Sequence, residues 1–222
     1  MKYFRLLGFT LLTVCALGAL MASSASAALP ELLGAKAFPE TWKGSSVGAT
    51  ELVTLSGTKV KCSAATADGE QSTDTLGAYH IHFTGCKSGI FGCNSEGDAK
   101  EVILVLGEYH YVDDFLGTPE TLGVAVLFLV KTHFSCTGFA LILVEGHVLC
   151  LILKPLESNA THEFHCKQVS NGMPEDKHWW NDSGVEQTAV LLSNFNEGAF
   201  EESSQVGLGT VTFGQPVAFM NH

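Results

Sequence analysis

Residues 139–153 read Phe-Ala-Leu-Ile-Leu-Val-Glu-Gly-His-Val-Leu-Cys-Leu-Ile-Leu. Two apolar runs, 139–144 and 147–153, flank Glu145-Gly146. Each run is too short to be one arm of a helical hairpin. An apolar run without polar alternation suits a strand covered on both faces. The stretch therefore predicts a buried β-hairpin turning at Glu145-Gly146. Strand signals continue on both sides of it. Residues 51–55 and 58–63 flank Ser56-Gly57, a two-residue hairpin signal. Tyr79, Ile81 and Phe83 alternate with His80 and His82, the period of a half-buried strand. Residues 102–106 and 109–112 read as one strand broken at Gly107. Residues 122–130 are a continuous apolar run, too short to cross a bilayer as a helix. Residues 187–192, 206–213 and 217–219 return to strand character, whereas 155–186, with Pro155, Pro174 and Asn171-Gly172, reads as long loops. Short strands without a long helix predict an all-β domain, an antiparallel β-sandwich or closed barrel.

The N-terminus adds a compartment. Lys2 and Arg5 precede a mostly apolar run at 6–21, and Ala25-Ser26-Ala27 supplies a small-x-small cleavage site. This predicts a signal peptide over 1–27, a leader over 28–49 and one β-rich domain over 50–222. The apolar run falls short of the roughly 20 residues of a retained span. The expected product is secreted or held in the cell envelope, with no membrane span after cleavage. Arg5 is the only arginine and leaves with the signal; ten lysines then face 23 carboxylates, a charge of −13 against −11 for the precursor. Phosphate polymers are bound through Lys and Arg, so this acidic chain argues against nucleic acid.

Removing Cys15 leaves Cys62, Cys86, Cys93, Cys136, Cys150 and Cys166. An even number in an exported chain predicts disulfides. Zinc is the rival, but Cys86 and Cys93 lack the ligand spacing of a zinc knuckle. The expected pairs are Cys86–Cys93 as a local clasp, Cys62–Cys136 and Cys150–Cys166.

Between about Gly44 and Pro155 the chain resembles a known group. The resemblance rests on Thr58-Lys59-Val60-Lys61-Cys62, Phe83-Thr84-Gly85-Cys86 with Cys93 after it, Gly123-Val124, and Phe134-Ser135-Cys136. These are similar to the uncharacterised secreted, β-rich, cysteine-containing proteins abundant in soil actinobacteria. The resemblance implies an exported bacterial protein with an all-β body. It implies no activity.

Several residue groups invite a chemical reading. Gly44-Ser45-Ser46-Val47-Gly48 has the letters of a nucleophile elbow, but lies outside the strand-to-helix turn that motif needs. His80 and His82 share one strand face and, with His110, form a candidate metal site, with Glu108 or Asp113 in support. The competing reading is a solvated polar face. The doublets Asp113-Asp114, Glu175-Asp176 and Glu201-Glu202 do not suggest the facing carboxylates of a glycosidase. Trp179 and Trp180, beside Asn181 and Asp182, could stack on a sugar and hydrogen-bond its hydroxyls. The competing reading is that they plug the end of the β-body. The expectation is a noncatalytic structural or binding module without a cofactor, its candidate partner an extracellular polysaccharide or protein. The alternatives are a metal-binding exported protein and an extracellular hydrolase.

Overall fold

The computed structural model describes residues 29–115, 122–137, 141–170, 172–175, 177–196 and 198–220. The export-signal segment lies outside the described residues, as do Asn171 and Asp176. Among the described residues every regular element is a strand. β1 (Glu31–Leu33) and β2 (Glu40–Ser46) come first, and β3 (Thr50–Thr54) continues β2 past an irregularity at Val47-Gly48-Ala49. β4 (Lys59–Cys62) and β5 (Ala64–Gln71) run back beside them, followed by β6 (Leu76–Thr84) and β7 (Lys87–Ser88). β8 (Phe91–Asn94) makes a hairpin with β7. Three long strands follow: β9 (Val102–Phe115), β10 (Leu122–Cys136) and β11 (Leu141–Ile152). β12 (Asn159–Cys166) leads into an excursion of β13 (Gln168–Ser170), β14 (Met173–Pro174), β15 (His178–Trp180) and β16 (Glu186–Thr188). β17 (Leu191–Phe195) and β18 (Glu201–Met220) complete the chain.

The fold is all-β and antiparallel, as the sequence predicts. Backbone pairing closes into a circuit, β2–β5–β6–β9–β10–β11–β12–β18 and back to β2. A second circuit closes the other end, with β3, β4, β7 and β8 replacing β2, β5, β6 and β9, and β17 replacing β12. The result is an irregular barrel whose wall is broken where one strand hands over to the next. β10, β11 and β18 are long enough to serve both ends. Closure satisfies the strand edges that an open sheet leaves bare.

Side-chain alternation then fixes the interior. Tyr79, Ile81 and Phe83 turn inward while His80 is exposed. Val124, Val126, Phe128, Val130 and Phe134 form the inward row of β10. Opposite walls meet over this core as the sheets of a sandwich do: the Trp42 and Tyr109 rings lie 5.9 Å apart edge to face. Glycines make room for the rings. A Cβ on Gly69 would lie 2.4 Å from the Trp42 ring, and one on Gly77 only 2.2 Å from that of Tyr109.

Four local expectations are corrected. Glu145-Gly146 is not a turn, because β10 pairs with both halves of the stretch, from Ala125↔Leu151 to Ser135↔Leu141. Gly146 instead makes a kink at φ 116° inside β11. Gly107 does not break β9; it clears space for the Tyr79 hydroxyl, 2.7 Å from where its Cβ would be. Part of the expected leader is barrel wall, since β2 pairs on both sides and buries Trp42. Finally, β12 occupies part of the expected loop region. Its inward His162, Phe164 and Cys166 alternate with Thr161, Glu163 and His165, so polar residues mask the pattern.

The six expected cysteines form three disulfides, Cys62–Cys86, Cys93–Cys136 and Cys150–Cys166. The first two replace the expected Cys86–Cys93 and Cys62–Cys136 pairs, and register explains why. Lys61↔Lys87 sets Cys62 opposite Cys86, and Cys93 is opposite Cys136. Cys93 N–H also donates to the Cys86 carbonyl at 2.8 Å, so four cysteines form one row across β4, β7, β8 and β10. Joining the middle two would leave the outer two roughly 14 Å apart at sheet spacing. That is beyond disulfide reach. Cys150–Cys166 bridges β11 and β12, whose ladder is only Leu151↔His165 and Ile152↔Phe164. Three disulfides suit an oxidising location.

Candidate functional site

The barrel contains a cavity of about 180 Å³. Ile81, Phe83, Phe128, Val130, Val148 and Val211 line it. All six are only partly buried although they pack on the core, so their free surface faces the cavity. The opening arises from small residues on one wall. Gly44, Ala65 and Ala67 line it from β2 and β5, opposite bulkier side chains. Among the described residues no Lys, Asp or Glu contributes to the lining.

Most polar groups on the lining are committed to the wall itself. Trp42 Nε1 donates to Tyr109 Oη at 2.8 Å, and Tyr109 donates to Gln71 Oε1 at 2.6 Å. Tyr111 donates to the same oxygen at 2.8 Å. Tyr79 donates to the Leu129 carbonyl at 2.8 Å. Burial raises the Tyr79, Tyr109 and Tyr111 phenols well above their usual value, so all three stay neutral donors at physiological pH. His162 Nε2 lies 3.0 Å from two carbonyl oxygens, those of Asn159 and Val217, so this nitrogen carries the proton. Thr132 donates to the Leu104 carbonyl at 3.2 Å. Thr50 differs: the residue contributes to the lining, but its hydroxyl is buried within the wall without a hydrogen-bond partner.

No protein-family model, curated protein or solved structure matches this chain. Its chemistry is therefore read from its own residues.

The candidate metal residues do not converge. His80 and His82 share the outer face of β6, but His110 sits opposite Leu76. Four residues of strand separate that level from His80, about 13 Å. His80 instead lies 3.4 Å from Asp68. Glu108 pairs opposite Ala78, and Asp113 is buried. Among the described residues no group of three His, Cys, Asp or Glu side chains is placed to hold a metal ion.

The tryptophans do not form one platform. β15 docks on the edge of β9, with Trp179 opposite Asp114 and Trp180 opposite Asp113. Neighbours on a strand face opposite ways. Trp179 packs on an outer cluster of Val112, Ala125, Leu127, Leu149 and Ala189. Asn181 holds the turn after them: its Oδ1 accepts from Ser183 N and Val185 N, each at 3.0 Å. Asp182 is exposed and accepts from the Ser183 hydroxyl at 3.4 Å. Ser46, in the elbow-like stretch, donates to the Gly48 carbonyl and accepts from Ala65 N, both at 2.8 Å, which stitches an irregular stretch of wall.

An outer groove of about 510 Å³ runs past Leu106, Glu108, Leu129, Lys131, Glu145 and His147. It lies on the surface of the sheet, whereas the interior cavity surrounds whatever enters it. Sequence reading missed the cavity altogether. Its available signal was small residues at alternate positions, Ala65 and Ala67, which a packed wall would fill with larger ones.

Proposed function

We propose that this protein is a noncatalytic binding module, exported or held at the cell envelope, that takes a small apolar molecule into its barrel. One observation carries the reading: a cavity of about 180 Å³ lined by inward apolar side chains. A cavity of similar size, about 150 Å³ and lined by Leu, Ile and Phe, stays dry and binds benzene. An eight-stranded barrel is wide enough to be filled by its own side chains or to hold one small ligand. The metal reading needs ligands that meet at a point, and His80, His82 and His110 diverge. A polysaccharide needs a surface platform, and Trp179 and Trp180 are divided between two faces. A calorimetric titration of the purified mature protein with p-xylene tests the proposal. Saturable binding is expected, and an Ala67→Leu variant, which fills the cavity from β5, should lose it while remaining folded. Absence of binding to the wild type at the solubility limit of p-xylene defeats the proposal.

A further inference from the structure

We propose that one end of the barrel docks on a neutral lipid surface through apolar side chains at its turns. The proposal is independent of the cavity. In the circuit β3–β4–β7–β8–β10–β11–β17–β18 every neighbour is antiparallel, including the closing pair β18–β3. The links from β3 to β4, β7 to β8, β10 to β11 and β17 to β18 therefore all fall at the same end. Each link carries or borders a large apolar side chain that the core does not take up. Leu55 follows β3 and is 53 % exposed. Ile90 tips the β7–β8 hairpin at 88 % exposure, with partly exposed Phe91 after it. Leu141 opens β11 and Phe200 precedes β18, and both are exposed. A single exposed leucine needs no explanation, but one at each of four clustered links marks an interaction surface.

Rigidity and charge identify the occupant. Cys86 and Cys93 bracket the Ile90 hairpin, and each is tied by a disulfide to a neighbouring strand. The tip is thus presented with little ordering left to do on docking. The described residues of the four links, 55–58, 89–90, 137, 196 and 198–200, include no charged side chain, although the chain as a whole is acidic. Such tips can enter the boundary between headgroups and hydrocarbon, where a charge would have to be dehydrated. Behind them the charges are mixed. Lys61 lies 3.3 Å from Glu51 and Lys87 3.5 Å from Glu101. Glu201 accepts from the Ser56 amide and the Ser56 hydroxyl, each at 2.9 Å. Paired signs at that level match a zwitterionic headgroup and offer no surplus of lysine to an anionic one. A protein partner would need a matching pocket for each separated tip. A fluid lipid surface takes them all without shape complementarity.

Vesicle co-sedimentation of the full mature protein tests the proposal. One set of vesicles is phosphatidylcholine alone and the other contains phosphatidylglycerol. The wild type should bind the first and bind the second more weakly, because an anionic surface repels an acidic chain. Ile90→Ser should lower partitioning into phosphatidylcholine about tenfold, the size of burying one aliphatic side chain. Ile90 is so exposed that the variant has little native packing to lose. Ile90→Trp, which keeps an interface-seeking ring, should retain binding. Leu156→Ser alters a side chain 69 % exposed beyond the far end of β11 and should leave binding unchanged. Absence of wild-type binding to either vesicle overturns the proposal, and so does binding that Ile90→Ser leaves intact. A preference for the anionic vesicles overturns the neutral-surface assignment. Dimerisation without lipid that Ile90→Ser abolishes assigns the tips to a second copy of the chain and overturns the lipid reading. None of these outcomes touches the p-xylene titration, so the cavity reading stands or falls separately.

Discussion

The two ends of the barrel are held by different chemistry. At one end Trp42, Tyr109, Tyr111 and Gln71 form a buried hydrogen-bonded cluster, and the Tyr111 and Phe219 rings meet at 4.9 Å. At the other, Cys62, Cys86, Cys93 and Cys136 form a row of sulfur across the wall. Strand length accounts for the contrast. The aromatic end is built on β5 and β6 of eight and nine residues and β9 of fourteen, whose ladders hold without covalent help. The sulfur end depends on β4 and β8 of four residues and β7 of two. Ladders that short gain little cooperative support, and a cross-link supplies what the missing pairs cannot.

The contrast can be broken from either side. The largest loss is expected from Trp42→Ala, which empties the space that Gly69 was shaped to leave. Truncating a buried Trp costs about 3–5 kcal/mol, read as a lower denaturant midpoint. Next comes the double Cys93→Ala, Cys136→Ala variant. Losing one native disulfide should cost about 2–4 kcal/mol. Hydrogen exchange should then rise along β4, β7 and β8 while the β9–β10 ladder stays protected. Uniform loss of protection would contradict the division into two ends. Tyr111→Phe deletes a single hydrogen bond to Gln71 and should cost about 1 kcal/mol. Finally, His147 sits half-buried on the outer groove, and desolvation lowers its pKa. A folded pKa below the unfolded one means the unfolded chain binds more protons. Stability is therefore full above the ordinary histidine value of about 6.5 and falls as pH drops below it, down to the folded pKa. A His147→Gln variant should flatten that part of the stability–pH curve.

How far the fold was legible follows from alternation. Tyr79, Ile81 and Phe83 announced β6 because their polar neighbours are on the outside, and Ser56-Gly57 announced its turn because Gly57 takes φ 90°. β12 was hidden because His162 and Cys166 point inward, where an apolar rule expects hydrocarbon. β2 was hidden because Gly44 and Ser46 accompany Trp42 on its inward face. The cysteine pairing was illegible because Cys86 has a neighbour on each side, and strand order alone decides between them. The cavity was illegible for a related reason: it is a volume left by residues from different strands, and no segment of chain contains it. The tryptophan pair was conspicuous as sequence, yet adjacency on β15 is what separates the two rings.

The central claim is that the barrel interior is an apolar ligand chamber. Methyl-resolved NMR of the mature protein under xenon pressure tests it most directly, because xenon enters apolar cavities without needing a polar anchor. Saturable shifts should appear at the inward methyls of Ile81, Val105, Val130, Val148 and Val211, and be absent from exposed Leu55 and Leu156. Shifts that are missing at the inward set, or that appear equally on the outer leucines, would contradict the claim.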